Sequence, residues 1–243
     1  MKEQVHLGIG IPCSTALWQS EFGMSMINLV TQFMRQPVPG YARQQLSVLS
    51  TKTSLLPKAR HELVTRAIDS GCTHLLFIDT DQTFPAWTAH AMLSRNVSVI
   101  GANVATKCVP SGPTARLKSA TWVGGDKLFT MPDSGGIEKV WRIGTGILLL
   151  DLSIFAKLSK PWFSVEWRTW DEGREDILGE DWYLMEKIEQ AGFDIYVDHD
   201  VSKHVGHIGN FEYTHAMIWA EDMVKEIQDG EAKVSEERQA AAG

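Results

Sequence analysis

Two carboxylates, Asp79 and Asp81, stand one residue apart between the apolar run Leu75-Leu76-Phe77-Ile78 and the pair Phe84-Pro85. Paired carboxylates repel each other, and a bound divalent cation relieves that repulsion. Magnesium and manganese take oxygen ligands and keep positions open for substrate phosphates. In a D-x-D spacing one carboxylate can bind the ion while the other orients a ribose or a metal-bound water. The same spacing also occurs as a solvated loop after a strand, and the apolar flanks are what make this copy specific. A second acid pair, Glu180-Asp181, opens a helix-like stretch. Carboxylates there complement the helix dipole, and a carboxylate held in a cleft can also take the proton from an attacking hydroxyl. His204 and His207 lie three apart among the glycines Gly206 and Gly209. They read either as loop histidines or as imidazoles completing a mixed carboxylate–imidazole site for manganese or magnesium.

These residues need a scaffold. Val5–Ile11 reads as a first strand, Ser25–Met34 as a helix and Gln45–Ser50 as a second strand. Pro57 suits a helix's first turn and opens a helix to about Asp69, with Leu63, Val64 and Ile68 on one face. Thr73–Ile78 is a continuous apolar strand of the kind covered on both faces. Pro85–Arg95 reads as a helix and Val97–Gly101 as a strand. Alternating strands and helices predict an α/β fold with a mostly parallel, doubly wound sheet, and ligands bind such sheets at the carboxyl ends of the strands. Further on, Ile137–Arg142 and Gly146–Asp151 are strand candidates around a Gly144-Thr145-Gly146 turn. Leu152–Leu158 is a short helix, Asp171–Asp181 an acidic loop, Glu180–Ala191 a strong helix, Phe193–Val197 a strand and Tyr213–Gln228 a last helix. One domain over residues 1–229 is expected, with a polar, disordered tail over 230–243.

The chain of 243 residues suffices for one such domain, and 44% apolar with 22% charged residues suits a globular protein. A net charge of −7 excludes a strongly basic footprint for nucleic acid, although not a local patch. Three scattered cysteines, Cys13, Cys72 and Cys108, form neither a zinc spacing nor a disulfide framework. They fit a reducing cytoplasm. No apolar run is long enough to span a bilayer, and no signal-peptide pattern opens the chain.

In this order the pieces resemble the GT-A glycosyltransferases, in particular the inverting family-two-like enzymes, including compact bacteriophage ones. The resemblance rests on Leu56-Pro57-Lys58-Ala59-Arg60-His61-Glu62-Leu63-Val64, the D-x-D strand, Gly144-Thr145-Gly146-Ile147-Leu148-Leu149, Lys160-Pro161-Trp162-Phe163, Gly179-Glu180-Asp181 and Gly206-His207-Ile208-Gly209. It implies a single Rossmann-like GT-A domain, a nucleotide-sugar donor, with UDP-sugar expected, and a bound Mn2+ or Mg2+. It further implies that Pro12 and Cys13 lie near the nucleobase and that Arg60 approaches the donor diphosphate. Asp79 would touch the ribose or a metal water, and Asp81 would bind the metal. Gly144, Thr145 and Gly146 would line the donor sugar, Asp181 would be the base, and His207, with His204 as substitute, would meet the metal. Lys107, which would add positive charge near the phosphates or else be a solvated loop lysine, and Glu180 are further candidate substrate contacts. His61 stands where such enzymes often carry asparagine, and Pro110–Gly136 does not match.

Trp162, Phe163, Trp167 and Trp170 cluster; aromatic faces suit sugar stacking, and alternating aromatics equally make core. The acidic loop Asp171–Asp176 is a candidate lid. For the acceptor, a glycan or small molecule competes with a hydroxymethylated pyrimidine in DNA, for which Arg116, Lys118 and Lys127 would supply a basic rim. A protein acceptor is also open. A nucleotidyltransferase would carry a glycine-rich phosphate loop after the first strand, and Gly8 and Gly10 lie inside the strand instead. A binding module that has lost its chemistry is the remaining alternative.

Overall fold

The computed structural model describes residues 2–15, 17–119, 124–169, 173, 175–221 and 225. Trp170, the first part of the expected acidic lid, the end of the expected last helix and the tail 230–243 lie outside them. Strand β1 (Lys2–Ile11) is followed by helix α1 (Ser20–Arg35), β2 (Tyr41–Ser50), α2 (Leu56–Asp69) and β3 (His74–Ile78). Next come β4 (Gln82–Thr83), α3 (Thr88–Ser94), β5 (Val99–Gly101), β6 (Arg116–Leu117), β7 (Asp126–Lys127), β8 (Ile137–Val140) and β9 (Ile147–Asp151). A 3-10 turn at Leu152–Ala156 leads to the antiparallel pair β10 (Glu166–Thr169) and β11 (Glu175–Leu178). The chain then passes through α4 (Glu180–Gln190), β12 (Ile195–Asp198), α5 (His199–Ser202), β13 (Gly206–Ile208) and β14 (Glu212–Thr214).

Seven strands make the main sheet in the order β2-β1-β3-β9-β5-β12-β8. β1, β2, β3, β5 and β12 run one way, while β9 and β8 are antiparallel to their neighbours. The expected α/β architecture, a mostly parallel sheet between helices, is the one the chain adopts. Because side chains alternate across a strand, β3 sends Leu75 and Phe77 to one core and Leu76 and Ile78 to the other. The first core is closed by Leu63, Val64 and Ala67 of α2 and by Leu184, Met185 and Ile188 of α4. The second is closed by Phe22, Met26, Leu29 and Phe33 of α1 and by Met92 of α3. Gly8 and Gly10 face the α2 side: a Cβ on Gly8 would lie 3.2 Å from Cys72 Sγ, and one on Gly10 would lie 3.1 Å from Leu75. Both glycines are therefore in the strand to admit close packing.

Position of β9 decides where the site forms. It runs against β3 and β5 and begins where they end, pairing Ile147 with Ile78. The Gly144–Gly146 segment therefore arrives beside Asp79, and the Gly146 carbonyl accepts from Asp79 N–H at 2.9 Å. The expected turn between β8 and β9 is not a hairpin, since β8 pairs with β12 at the sheet edge. Other expectations also shift. Ile68 is exposed, and Ala67 takes its place on the buried stripe of α2. Glu175–Leu178 is a strand rather than part of an acidic loop, paired with β10, which an Arg168–Glu186 ion pair of 3.2 Å ties to α4. Tyr213 belongs to β14, and helix begins only at residue 215. There His215 Nε2 bonds the Asn103 carbonyl at 2.6 Å, and partners of that kind fix where the helix docks.

Candidate functional site

Arg60 sits on the core-facing stripe of α2 and is almost completely buried, at 1% exposure. Its guanidinium lies 5.3 Å from the Phe77 ring and emerges at the end of β3. There Nη2 donates to both Asp79 oxygens, at 3.0 and 3.2 Å, and Nε donates to Glu180 Oε1 at 3.4 Å. Nη1 is buried and has no hydrogen-bond partner among the described residues. A guanidinium carries five N–H donors and no acceptor, so this nitrogen lacks an anion oxygen. Burial pushes the Asp79 carboxyl above its ordinary range against the pull of Arg60, and neighbouring Asp81 and Glu180 add repulsion. The D-x-D strand, α2 and the start of α4 thus meet at one buried cation.

Asp81 faces a different set. A small antiparallel sheet, β4-β13-β14, pairs His207 with Gln82 and Gly206 with Thr83. It is pinned by Ile208 N–H donating to the Asp81 carbonyl at 2.7 Å. This sheet sets His207 Nε2 3.5 Å from Asp81 Oδ2. His207 Nδ1 lies 2.9 Å from the Ala105 carbonyl, a partner that orients the ring with Nε2 toward Asp81. Lys107 Nζ completes the group at 2.5 Å from Asp81 Oδ2. Burial works against the charge, yet the bonds from His207 and Lys107 hold the Asp81 carboxyl well below the ordinary range. Gly206 is required here, because a Cβ would overlap the Thr83 hydroxyl and the Glu212 carboxylate bonded to it. Gly206→Ala should cost about 1–2 kcal/mol as an overpacked contact, read by urea unfolding. Wild-type stability would show that the two side chains simply move aside.

Asp181 opens α4 beside Glu180 and accepts the Trp182 N–H at 2.7 Å. Burial, with repulsion from Glu180, raises its carboxyl to about 6. A carboxylate near neutrality is both a competent base and mostly ionised at working pH. Pro12 and Cys13 follow β1 at the same sheet edge; Cys13 is buried, with its thiol donating to the Thr15 carbonyl at 2.6 Å. Thr145 is buried, and a Cβ on Gly146 would lie 3.3 Å from Gln82 Nε2 and 3.7 Å from Asp79 Oδ2. A Cβ on Gly144 would meet Thr114 at 3.4 Å.

The fold does not gather every candidate. His204 is exposed and packs edge-on against Trp87, so His207 alone of the two contacts Asp81 among the described residues. Trp162 and Phe163 are buried in the first core, Trp162 stacking on His61 at 4.7 Å, while Trp167 is exposed. Two residues escaped the sequence reading. Gln82 is buried and donates to Asp81 Oδ1 at 3.3 Å. Buried Asn103 accepts from Thr114 and Ala115 N–H at 3.0 Å and donates to the Leu128 carbonyl at 2.8 Å, which shapes the loop carrying Ala105 and Lys107. Both are polar residues within four positions of the end of a buried strand, which was the available signal.

Among the described residues no three His, Cys, Asp or Glu side chains are gathered as a ready-made metal cage. Asp81 Oδ2 and His207 Nε2 offer two donor atoms, which fits an ion that takes its other ligands from phosphate and water. Among the described residues no helix is long and apolar enough to cross a membrane.

No family model matches the sequence, and no curated protein does so significantly. Among solved structures, A197 from STIV superposes with a TM-score of 0.53 at 14% identity, over 84% of this chain and 86% of that one. That likeness is one of fold. Staphylococcus aureus TarS 1-349 in complex with UDP-GlcNAc has a TM-score of 0.45 at 11% identity, over 83% of this chain and 57% of that one. A nucleoside-diphosphate-sugar pyrophosphorylase from Vibrio cholerae RC9 has 0.42 at 11%, over 79% and 91%.

Proposed function

We propose that the protein is a metal-dependent glycosyltransferase, moving a sugar from a nucleoside-diphosphate sugar, with UDP as the expected nucleotide, to an acceptor hydroxyl with inversion. The observation that carries this is the convergence at one sheet edge of a raised carboxylate, Asp181, with a buried arginine that has an unused N–H. The first supplies a base, and the second supplies an anion contact.

In this reading Arg60 Nη1 takes a donor oxygen while Nη2 and Nε keep Asp79 and Glu180 in place. Lys107 turns from Asp81 to the phosphates, and Asp81 with His207 holds a manganese or magnesium ion. When bound, such an ion neutralises charge building on the departing nucleoside diphosphate. The glycines at 144 and 146 leave room for the donor sugar. Asp181 removes the acceptor proton as the new bond forms on the face opposite the leaving group, and that placement gives inversion.

Thermal unfolding with UDP, with and without manganese, tests the donor site. At a hundred times its dissociation constant a ligand bound only to the folded state adds about 2.7 kcal/mol. The shift is expected with manganese, and Asp81→Ala should abolish it. A shift of the same size without metal would remove the ion from the proposal. No shift with any nucleotide would remove the donor.

A further inference from the structure

Helix α4 carries a second surface that the transfer step does not use. Trp182 follows Asp181, and Glu189 lies seven residues further on, on the same helical face and about 10 Å along the axis. Trp141, just past β8, bridges them. Its ring lies 6.2 Å from that of Trp182, and its Nε1 donates to Glu189 Oε2 at 2.9 Å. The Arg142 guanidinium 4.2 Å from the Trp141 ring holds the indole in place, and both tryptophans stay half-buried. Trp141 and Glu189 form one wall of a groove of about 420 Å³ that Lys118, Lys139, Phe193 and Asp194 also line.

The groove suits a neutral polyhydroxylated ligand. Aromatic walls accept the C–H faces of a sugar, and a few placed polar groups hydrogen-bond its hydroxyls. The four charges are matched, two lysines against two carboxylates: Lys118 pairs with Glu189 at 3.2 Å and Lys139 with Asp194 at 2.6 Å. A nucleic acid is held by cations that neutralise its phosphates, and two of the three residues expected to rim a DNA pocket are engaged. Arg116 Nη1 donates to the Pro113 and Ala115 carbonyls, and Lys118 is in the pair above.

We propose that this groove is an acceptor subsite for a neutral oligosaccharide. The chain lies along α4, its reacting hydroxyl at Asp181 and a sugar further along it in the groove. This rests on the glycosyltransferase reading and narrows its acceptor from glycan or DNA to a neutral glycan chain.

The test uses saturation-transfer NMR on the UDP–manganese complex with malto-, cello- and chito-oligosaccharides of increasing length, and with a duplex oligodeoxynucleotide containing 5-hydroxymethylcytosine. Wild type is compared with Trp141→Ala and with the exposed-pair variant Lys139→Ala/Asp194→Ala. At least one glycan series should bind more tightly with length. Both variants should weaken its longer members about tenfold, as loss of an anchor does, with the shortest unchanged. No length dependence, unchanged binding in the variants, or binding of the DNA alone would each overturn the subsite. The UDP shift on the same samples separates the layers. If wild type shows it and the glycans fail, the inference falls alone; if wild type lacks it, the reading beneath falls too. The double variant keeps the test valid should Trp141→Ala fail to fold.

Discussion

Asp181→Asn is expected to lower the transfer rate about 10²- to 10⁴-fold, the contribution of a positioned general base, while UDP binding survives. An asparagine side-chain carbonyl can still accept the Trp182 N–H that now reaches Asp181 at 2.7 Å. What it loses is the charge that takes the proton. Because Asp181 titrates at about 6, kcat/KM of the wild type should rise through that pH and level off above it. The same shift predicts a stability effect of opposite sense. The ordinary carboxylate value is about 4, so between pH 4 and 6 the folded state keeps a proton that the unfolded chain has released. Stability therefore falls as pH rises through that window, and the penalty is full above it. Asparagine carries no such penalty. The variant should gain about 1–3 kcal/mol relative to wild type at pH 8, after screening of a partly exposed group, and much less at pH 4. Urea unfolding at the two pH values checks this. A variant that loses activity yet gains nothing at pH 8 would mean that Asp181 is an ordinary surface carboxylate and the rate effect has another origin.

The D-x-D was legible in the sequence for a physical reason. β3 is buried on both faces, so its run from Leu75 to Ile78 is uninterrupted, and charges directly after it must surface at the sheet edge. Arg60 was reached only through the resemblance; in the fold it lies on the stripe that Ala59, Leu63, Val64 and Ala67 bury, where an arginine has to find a carboxylate. The position of β9 was not legible. Ile147–Asp151 is as apolar as β3, but its partners are set by pairing with β3 and β5 from distant parts of the chain. Neither was the sheet β4-β13-β14, whose strands span two or three residues, too few for any period to register. That sheet nevertheless decides which histidine faces Asp81. The misplaced start of the last helix has a similar origin: Tyr213 fits a helical apolar stripe with Met217, yet its backbone is used by β13.

Arg60→Met should destabilise the fold by about 3–5 kcal/mol, the cost of leaving buried charges without their partner, and should abolish the UDP shift. Three interactions disappear together: the two bonds to Asp79, the bond to Glu180 and the contact with the Phe77 ring. Two carboxylates that already repel each other would then share the pocket, and burial would drive the Asp79 carboxyl further up. The loss should therefore deepen as pH rises, because a carboxyl whose folded value is raised destabilises once the unfolded chain has ionised. Arg60→Lys should rescue little, since one ammonium cannot reproduce the fork that reaches both acids. Asp79→Asn added to Arg60→Met should restore about 1–3 kcal/mol, the range of coupling for residues in one ion-pair network. Donor binding should stay lost in that double variant, because the N–H proposed to meet the donor is gone. Strictly additive stability losses in this cycle would show that Arg60 holds the site by packing on Phe77 rather than by charge.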